Sequence, residues 1–331
     1  VKGTILVKEK ILEALKNSED FISGEELSRR FGISRAAIWK HIKTIKDQGY
    51  KIESISKKGY KLEYSPDLLT YGEVKKYLET EEMGRNFLHY DSIDSTNILA
   101  KKLAQEGAVH GTVILAEEQI SGRGRLGRAW VSPKSTGIWM TAILRPNISP
   151  FMASKLTLIG AAAVERAMEE VGIEAYIKWP NDIVLNSKKV CGILTEMSGE
   201  MDRVNYIVMG IGINVNTNSF PEEINSIATS LKLETGREVD RKLLVAGILN
   251  NFENLYNEFI IENNFNQVID ICRKKSVLLG KDVRLINGEN IRKAKAIDID
   301  NDGELIVQYE DGVLGKVLSG EISVRGLYGY V

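Results

Sequence analysis

Apolar residues recur three and four apart through the N-terminal part of the chain. They then give way to short apolar runs between turn residues, so the spacing predicts helices first and mixed helices and strands after. Ile11, Leu12 and Leu15 mark a first helix that ends in the polar run 16–20. A second begins at Ser23. In Ser23-Gly-Glu-Glu26 the hydroxyl can accept from a free backbone N–H and the carboxylate can return the contact, a capping box, with Leu27 and Phe31 facing inward and Gly32 stopping the helix. Ser34 caps a third helix, Arg35–Asp47, whose Ile38, Ile42 and Ile45 form one apolar stripe while Arg35, Trp39, Lys40, Lys43 and Lys46 point elsewhere. Two helices joined by a three-residue turn make a helix-turn-helix. Beyond it, Tyr50-Lys-Ile-Glu-Ser-Ile and Gly59-Tyr-Lys-Leu-Glu read as two strands around Ser56, Lys57 and Lys58, a basic wing. The expectation is a winged helix.

From 67 to 270 the pattern predicts helices at 95–106, 153–171 and 241–263, with short β-branched strands at 112–118, 176–178, 183–185, 190–197 and 204–213. There is no regular βαβ alternation, which points to an α+β fold with a largely antiparallel sheet. After Val277 the pairs Asn287-Gly288, Asp302-Gly303, Asp311-Gly312 and Ser319-Gly320 punctuate apolar runs, the pattern of a small SH3-like β-barrel of hairpins. Three domains follow, at 1–65, 66–275 and 276–331, the first boundary lying near Ser65-Pro66-Asp67, where Pro disfavours helix.

Charge sharpens that boundary. Over 331 residues, Lys+Arg 44 against Asp+Glu 45 give a net charge of -1, which taken whole argues against a nucleic-acid-binding surface. Residues 1–65 alone hold 14 basic and nine acidic side chains, or +5, leaving -6 for the rest. A basic reader joined to an acidic body fits both numbers. No run approaches the about 18 apolar residues of a transmembrane helix, and Lys2, Lys8, Glu9, Lys10 and Glu13 interrupt any secretory core. A cytoplasmic chain without a membrane partner is expected. Cys191 and Cys272 sit in apolar surroundings and in no CxxC or Cys/His spacing, so both read as buried thiols.

Gly122-Arg-Gly124-Arg-Leu-Gly127 matches GxGxxG, but Arg128-Ala-Trp-Val-Ser-Pro133 follows instead of a helix, and the HRD and DFG pieces of a kinase are absent. Glycines let backbone N–H groups approach an anion, and Arg123, Arg125 and Arg128 add bidentate charge, so the loop suits a phosphate or carboxylate. A mobile basic surface loop is the alternative that composition leaves open. In Lys178-Trp-Pro-Asn-Asp182 the lysine ends a strand running into the core, where it is costly without an anion. It could neutralise a transferring phosphoryl group, or pair with a neighbour such as Asp182.

Ser95-Thr96-Asn97 opens a helix and reads either as a cap or as neutral donors and acceptors for a polar ligand; Gln119, beside the arginine loop, is similar. Gly210 and Gly212 weaken their strand unless something approaches its backbone closely, which leaves Asn214 poised to read a base or amide. His41, His89 and His110 stand in no metal-ligand spacing and in no nucleophilic triad, and the metal ligands are not specified.

Ser95-Thr-Asn97, Gly122-Arg-Gly-Arg-Leu-Gly-Arg128, Lys178-Trp-Pro-Asn-Asp182, Gly192-Ile-Leu194 and Gly210-Ile-Gly-Ile-Asn214 occur in order as in the biotin protein ligases. With the winged helix and its Ser34-Arg-Ala-Ala-Ile-Trp-Lys40, the chain resembles the bifunctional ligase–repressors of that family, over nearly its whole length. The resemblance implies that biotin and ATP, with Mg²⁺, give biotinyl-5′-AMP and pyrophosphate. Biotin then passes to one lysine of a carboxylase's biotin carrier domain. It places Ser95, Thr96, Asn97 and Gln119 at the biotin end, Arg123, Gly124 and Arg125 over its carboxylate and the phosphate, Lys178 near the reacting phosphorus, and Trp130 and Asn214 at the adenine, with Arg125 and Lys178 shared by both substrates.

In bifunctional members the adenylate is also a corepressor that promotes a homodimer on operator DNA. Ser34, Arg35, Trp39, Lys40 and Lys43 would then meet the major groove, and Lys57 and Lys58 the phosphates. Leu126 departs from members that carry another Arg there, and Cys191 takes the place of a small apolar residue. A ligase whose winged helix no longer binds DNA is the alternative. A sensor without catalysis is disfavoured by the retained Lys178 and arginine loop.

Overall fold

The computed structural model describes residues 2–319, 322–326, 330 and 331, with the backbone alone at 2–6. It divides into two compact units, one ending at Leu68 and the other beginning at Leu69.

In the first unit α1 (Lys2–Lys16), α2 (Gly24–Phe31) and α3 (Arg35–Asp47) precede a hairpin of β1 (Lys51–Ile55) and β2 (Gly59–Tyr64). The caps read from the sequence are in place: Glu26 N donates to Ser23 Oγ at 3.0 Å and Ala37 N to Ser34 Oγ at 3.2 Å. Gly32 ends α2 at φ 66, a left-handed conformation that costs glycine nothing. Ile11, Leu15, Leu27, Ile38, Ile42 and Ile45 make one buried core, so the predicted stripes are the faces on which the helices meet. Ile22 bridges Tyr60 beside the wing.

The second unit is built on a seven-stranded sheet. Along the chain run α4 (Tyr71–Val74), β3 (Phe87–Tyr90), α5 (Thr96–Gln105), β4 (Thr112–Ala116), β5 (Gly137–Leu144), α6 (Ala153–Glu170), β6 (Tyr176–Lys178), β7 (Asp182–Leu185), β8 (Lys188–Gly199) and β9 (Val204–Asn214). Then follow α7 (Leu231–Thr235), α8 (Arg241–Ile261), α9 (Asn266–Lys274) and five further strands, β10 (Asp282–Asn287), β11 (Asn290–Ile299), β12 (Leu305–Tyr309), β13 (Leu314–Val317) and β14 (Ser323–Gly326). The large sheet has the order β3-β4-β5-β9-β8-β7-β6 and is antiparallel except where β3 lies beside β4. One face packs on α6 and α8 through residues such as Ile138, Met140, Met209 and Ile211. The other carries α5, whose Ala100 and Ala104 pack on Ile114, Ile143 and Val208.

Two of these strands are not predicted by the pattern. β5 buries all eight of its residues, so it shows no alternation, and a continuous apolar run does not separate strand from buried helix. β3 is four half-buried residues. Past α9 the glycines at the predicted turns adopt positive φ, 59 at Gly288, 85 at Gly303 and 81 at Gly312; the expected Ser319-Gly320 turn reaches outside the described residues. The last five strands form an antiparallel sheet, β13-β12-β11-β10-β14, whose core is continuous with that of the large sheet. Trp179 Nε1 donates to Gly303 O at 2.9 Å and fastens its β11–β12 turn to the Lys178–Asp182 segment. Cys191 and Cys272 are buried free thiols whose pKa values burial pushes up, that of Cys272 to about 12. Among the described residues no helix is long and apolar enough to cross a membrane.

Candidate functional site

Two rungs of the central sheet, on the face that carries α5, set the floor of a cavity of about 870 Å³. In one, Thr141, Gly210 and Leu194 lie side by side; in the next, Trp139, Gly212 and Gly192. The glycines answer the question their sequence raised. A Cβ on Gly210 would collide with Asn97 Oδ1, and one on Gly212 would lie 2.6 Å from Trp130 Nε1. The strand is thinned at two points, once for an amide side chain and once for an indole.

At the first rung the start of α5 is fully bonded. Thr141 Oγ1 donates to Asn97 Oδ1 at 2.6 Å and lies 2.7 Å from Thr96 Oγ1; Asn97 Nδ2 donates to Glu196 Oε2 at 2.9 Å. Gln119 Oε1 accepts from Thr96 N at 2.9 Å, and its Nε2 donates to Ser132 Oγ at 3.0 Å. Ser95 precedes α5 and makes no side-chain cap bond, so its buried hydroxyl faces the cavity rather than the helix. The side chains that line this end, Ser95, Thr96, Asn97 and Gln119, are neutral and polar, which suits a ligand read by hydrogen bonds.

The arginine loop closes over the middle of the cavity. Arg123 and Ala129 bridge, Gly124 N donates to Arg128 O at 2.7 Å, and Leu126, 80% exposed with φ 56, forms the tip. Arg125 Nη1 donates to Asn181 Oδ1 at 3.0 Å, and Asn181 Nδ2 donates to Ile193 O at 2.9 Å, so the loop is latched to the sheet through the Lys178–Asp182 segment.

Beneath it lies Lys178, 4% exposed. Its ammonium makes neither an ion pair nor a hydrogen bond among the described residues and sits 3.4 Å from the ring centroid of Tyr330. Burial lowers its pKa to about 7, Asp182 opposing that shift and Lys189, Arg325 and Arg128 adding to it. Asp182 is ion-paired instead to Lys189 at 2.5 Å and accepts from the Tyr330 hydroxyl. Despite burial, those partners hold its carboxyl below the usual range.

At the far end the Trp130 ring lies over Gly212 and Gly192 with Lys189 Nζ 5.2 Å from its centroid, and its Nε1 is buried without a hydrogen-bond partner. A buried indole N–H left unpaired is expensive and marks a place for an acceptor. Asn214 donates from Nδ2 to Thr229 O at 3.1 Å and lines the same end.

Every residue expected for the small-molecule site therefore faces one cavity: Ser95, Thr96, Asn97, Gln119, Arg123, Gly124, Arg125, Trp130, Lys178 and Asn214. Thr141, Lys189, Arg325 and Tyr330 carried no expectation from the sequence. A hydroxyl inside the apolar run of β5 was the one local signal, for Thr141; the others are brought in by pairing between strands and by the C-terminal sheet. His89 and His110 have structural partners, in Glu117 and in the backbone N–H of Arg145. Among the described residues no three acidic, imidazole or thiol groups gather as a metal site, and Asp182 is the one carboxylate lining the cavity.

In the first unit Arg35, Trp39, Lys40 and Lys43 are exposed on one flank of α3, with Lys43 Nζ 5.8 Å from the Trp39 centroid. Ser34 spends its hydroxyl on the helix cap. Lys57, at φ 67, and Lys58 stand exposed at the wing turn.

A pocket that reads neutral polar groups at one end and gathers cations at its middle is arranged to join a carboxylate to a nucleotide, the work of an acid-activating ligase. Sequence profiles agree: the biotin/lipoate A/B protein ligase family matches residues 90–214, a helix-turn-helix domain 7–61, and the biotin protein ligase C-terminal domain 278–325. The chain is 39% identical to the bifunctional ligase/repressor BirA of Bacillus subtilis and 40% to that of Bacillus spizizenii, each over 92% of this chain and 94% of the relative. The biotin protein ligase of Aquifex aeolicus, solved with biotin and ATP, superposes with a TM-score of 0.64 at 32% identity, over 73% of this chain and 99% of the other. The chain belongs to the bifunctional biotin ligase/repressor family.

Proposed function

We propose that this protein activates biotin with ATP and passes it to a lysine of a biotin carrier domain, and that the adenylate it holds also controls operator binding by its winged helix. The observation that carries the reading is Lys178, a buried ammonium without an ion pair among the described residues, set between the neutral polar end and the indole N–H of Trp130 that has no partner there. Biotin's ring and ureido group go to Ser95, Thr96, Asn97 and Gln119; adenine goes to Trp130 and Asn214. Their reacting ends then meet at Lys178, Arg123 and Arg125.

The biotin carboxylate is already the nucleophile, so no side-chain base is required for the first step. A carboxylate oxygen forms a bond to the α-phosphorus as the bond to the β-phosphate oxygen breaks, and pyrophosphate leaves with that electron pair. Lys178 and the arginines neutralise charge on the phosphorus oxygens and hold the reactants in line. The carrier's neutral lysine amine next forms a bond to the acyl carbon, the acyl C–O bond breaks and AMP leaves with its electron pair, and the nitrogen's extra proton passes to water. Mg²⁺ belongs to the proposal as a companion of the ATP phosphates; the described residues build no cage for it, and no step here depends on it.

The Arg125–Asn181 latch has the right place to shield the mixed anhydride from water. A closed loop that reports adenylate to a dimer surface would supply the coupling that repression needs. Two measurements test the reading. Lys178→Ala should abolish biotinyl-5′-AMP formation while leaving the fold intact, and normal turnover in that variant would sink it. A gel shift on DNA upstream of biotin-synthesis genes, run with and without biotin and ATP at two salt concentrations, should show ligand-dependent, salt-sensitive binding. Binding indifferent to both would favour a ligase whose winged helix serves another end.

A further inference from the structure

We propose that Tyr330, in the segment following β14, is a positioning residue for adenylate formation: its ring seats the Lys178 ammonium while its hydroxyl fixes Asp182, so the C-terminal sheet completes the site. The inference rests on the ligase reading above and adds a residue to it.

Three observations support it. The Tyr330 centroid lies 3.4 Å from Lys178 Nζ, an ammonium that has no hydrogen bond or ion pair among the described residues. An aromatic face attracts a cation without consuming it, as a carboxylate partner would, so the lysine is aimed and remains available to an incoming phosphate. The Tyr330 hydroxyl donates to Asp182 Oδ2 while Lys189 holds Oδ1, which clamps the carboxylate of the residue that is Lys178's backbone register partner across the β6–β7 turn. Burial and the nearby Asp182 raise the Tyr330 pKa, so the hydroxyl stays a neutral donor. The backbone is also shaped for the return of this segment: Val331 packs so closely on Gly326 that a Cβ there would strike it.

The groups facing Lys178 are Asp182 on β7, Lys189 on β8, Arg325 on β14, Arg128 of the loop, and Tyr330. Apart from Asp182 the charged ones are cations, so loss of the ring leaves repulsion less opposed.

The test uses the full chain with Tyr330→Leu and Tyr330→Phe, following biotinyl-5′-AMP formation across pH, with biotin affinity and melting temperature as controls of folding. Leu is expected to lower kcat roughly tenfold, with biotin still bound through its ring end and the alkaline limb moved to lower pH. Phe keeps the seat and should hold the limb in place with a loss of about threefold or less. A Leu variant as fast as the parent overturns the proposal. A faster one does so too, because it would make Tyr330 a plug. Should the Leu protein fail to fold, a shifted limb in Tyr330→Phe overturns it alone. Absence of adenylate from the parent protein would instead defeat the ligase reading.

Discussion

Asp182 gives its Oδ1 to Lys189 at 2.5 Å, not to Lys178, although Asp182 and Lys178 face each other across the β6–β7 turn. A bulge between Ile183 and Val184 shifts the β7–β8 register, and Lys189 comes to stand beside the carboxylate. The salt bridge that would have explained Lys178 as a structural residue is occupied by another lysine. What remains is a buried ammonium with a pKa of about 7, waiting for an anion.

Proton uptake should accompany binding. Between about 7 and the ordinary lysine value of about 10.4, Lys178 is mostly neutral in the empty protein, and phosphate or carboxylate at its side restores the proton. Calorimetry of ATP binding at pH 8, in two buffers of different ionisation heat, is expected to show uptake close to one proton; at pH 6 it should show little. Lys178→Met should abolish the difference. The unfolded chain holds the extra proton in that window, so the parent's stability should rise with pH from about 7 to about 10.4, and the Met variant should lose that slope.

Gly210 and Gly212 stand at the two ends of the cavity, one against Asn97 and the other against Trp130, where the proposed function puts biotin and adenine. Alanine at 210 displaces Asn97, and alanine at 212 displaces Trp130. Overpacking of this kind costs about 1–3 kcal/mol, about fivefold or more in affinity where the displaced group binds ligand. Titration calorimetry should find Gly210→Ala weakened chiefly toward biotin and Gly212→Ala chiefly toward ATP. Equal loss of both ligands in each variant would show that the pocket's two ends are not the ones assigned.

How much of this was legible follows from where each signal is stored. The winged helix is written locally, in Ser23, Gly32, Ser34 and an isoleucine stripe, and the structure returns those caps and that core. The ligand cavity was legible because its glycines and arginines are unusual where they stand, and an unusual residue needs a reason. β5 was not, since full burial on both faces erases the alternation that betrays a strand, and Thr141 was hidden with it. Tyr330 reaches Lys178 and Asp182 only through tertiary pairing, which no window of sequence contains, and Lys189 meets Asp182 across the β7–β8 hairpin in a register that the bulge sets.

Glu117 and Arg241, both fully buried, pair at 3.0 Å, and Glu117 also accepts from Leu69 N at 2.8 Å and lies 2.9 Å from His89 Nε2. Burial alone would push the carboxyl up; His89, Arg241 and the Leu69 N–H outweigh it and hold it below the ordinary value. Arg241→Met strands the charge and should cost about 3–5 kcal/mol in denaturant unfolding. Adding Glu117→Met should recover part of that. Because the folded carboxyl is depressed, its stabilisation is complete above about 4.3 and lost as pH falls through the folded value. Acid unfolding of the double variant should therefore be less steep.

The winged helix offers two kinds of contact, and they should fail differently. Arg35 opens α3 and Trp39 stands 58% exposed one turn on, the place from which a recognition helix reads base edges. Lys57 and Lys58 lie at the wing turn, where a duplex presents phosphate. Arg35→Ala is expected to lose about 1–3 kcal/mol on the operator and little on unrelated DNA, which erodes specificity. Lys57→Ala should weaken both alike and reduce the slope of log affinity against log salt by about one. Anisotropy titrations with the two DNAs at several salt concentrations separate these outcomes. Adenylate formation, housed in the other unit, should be unchanged in both variants. If Arg35→Ala alters neither DNA affinity nor its specificity while catalysis stays normal, the basic unit is not an operator reader, whatever its charge of +5 suggests.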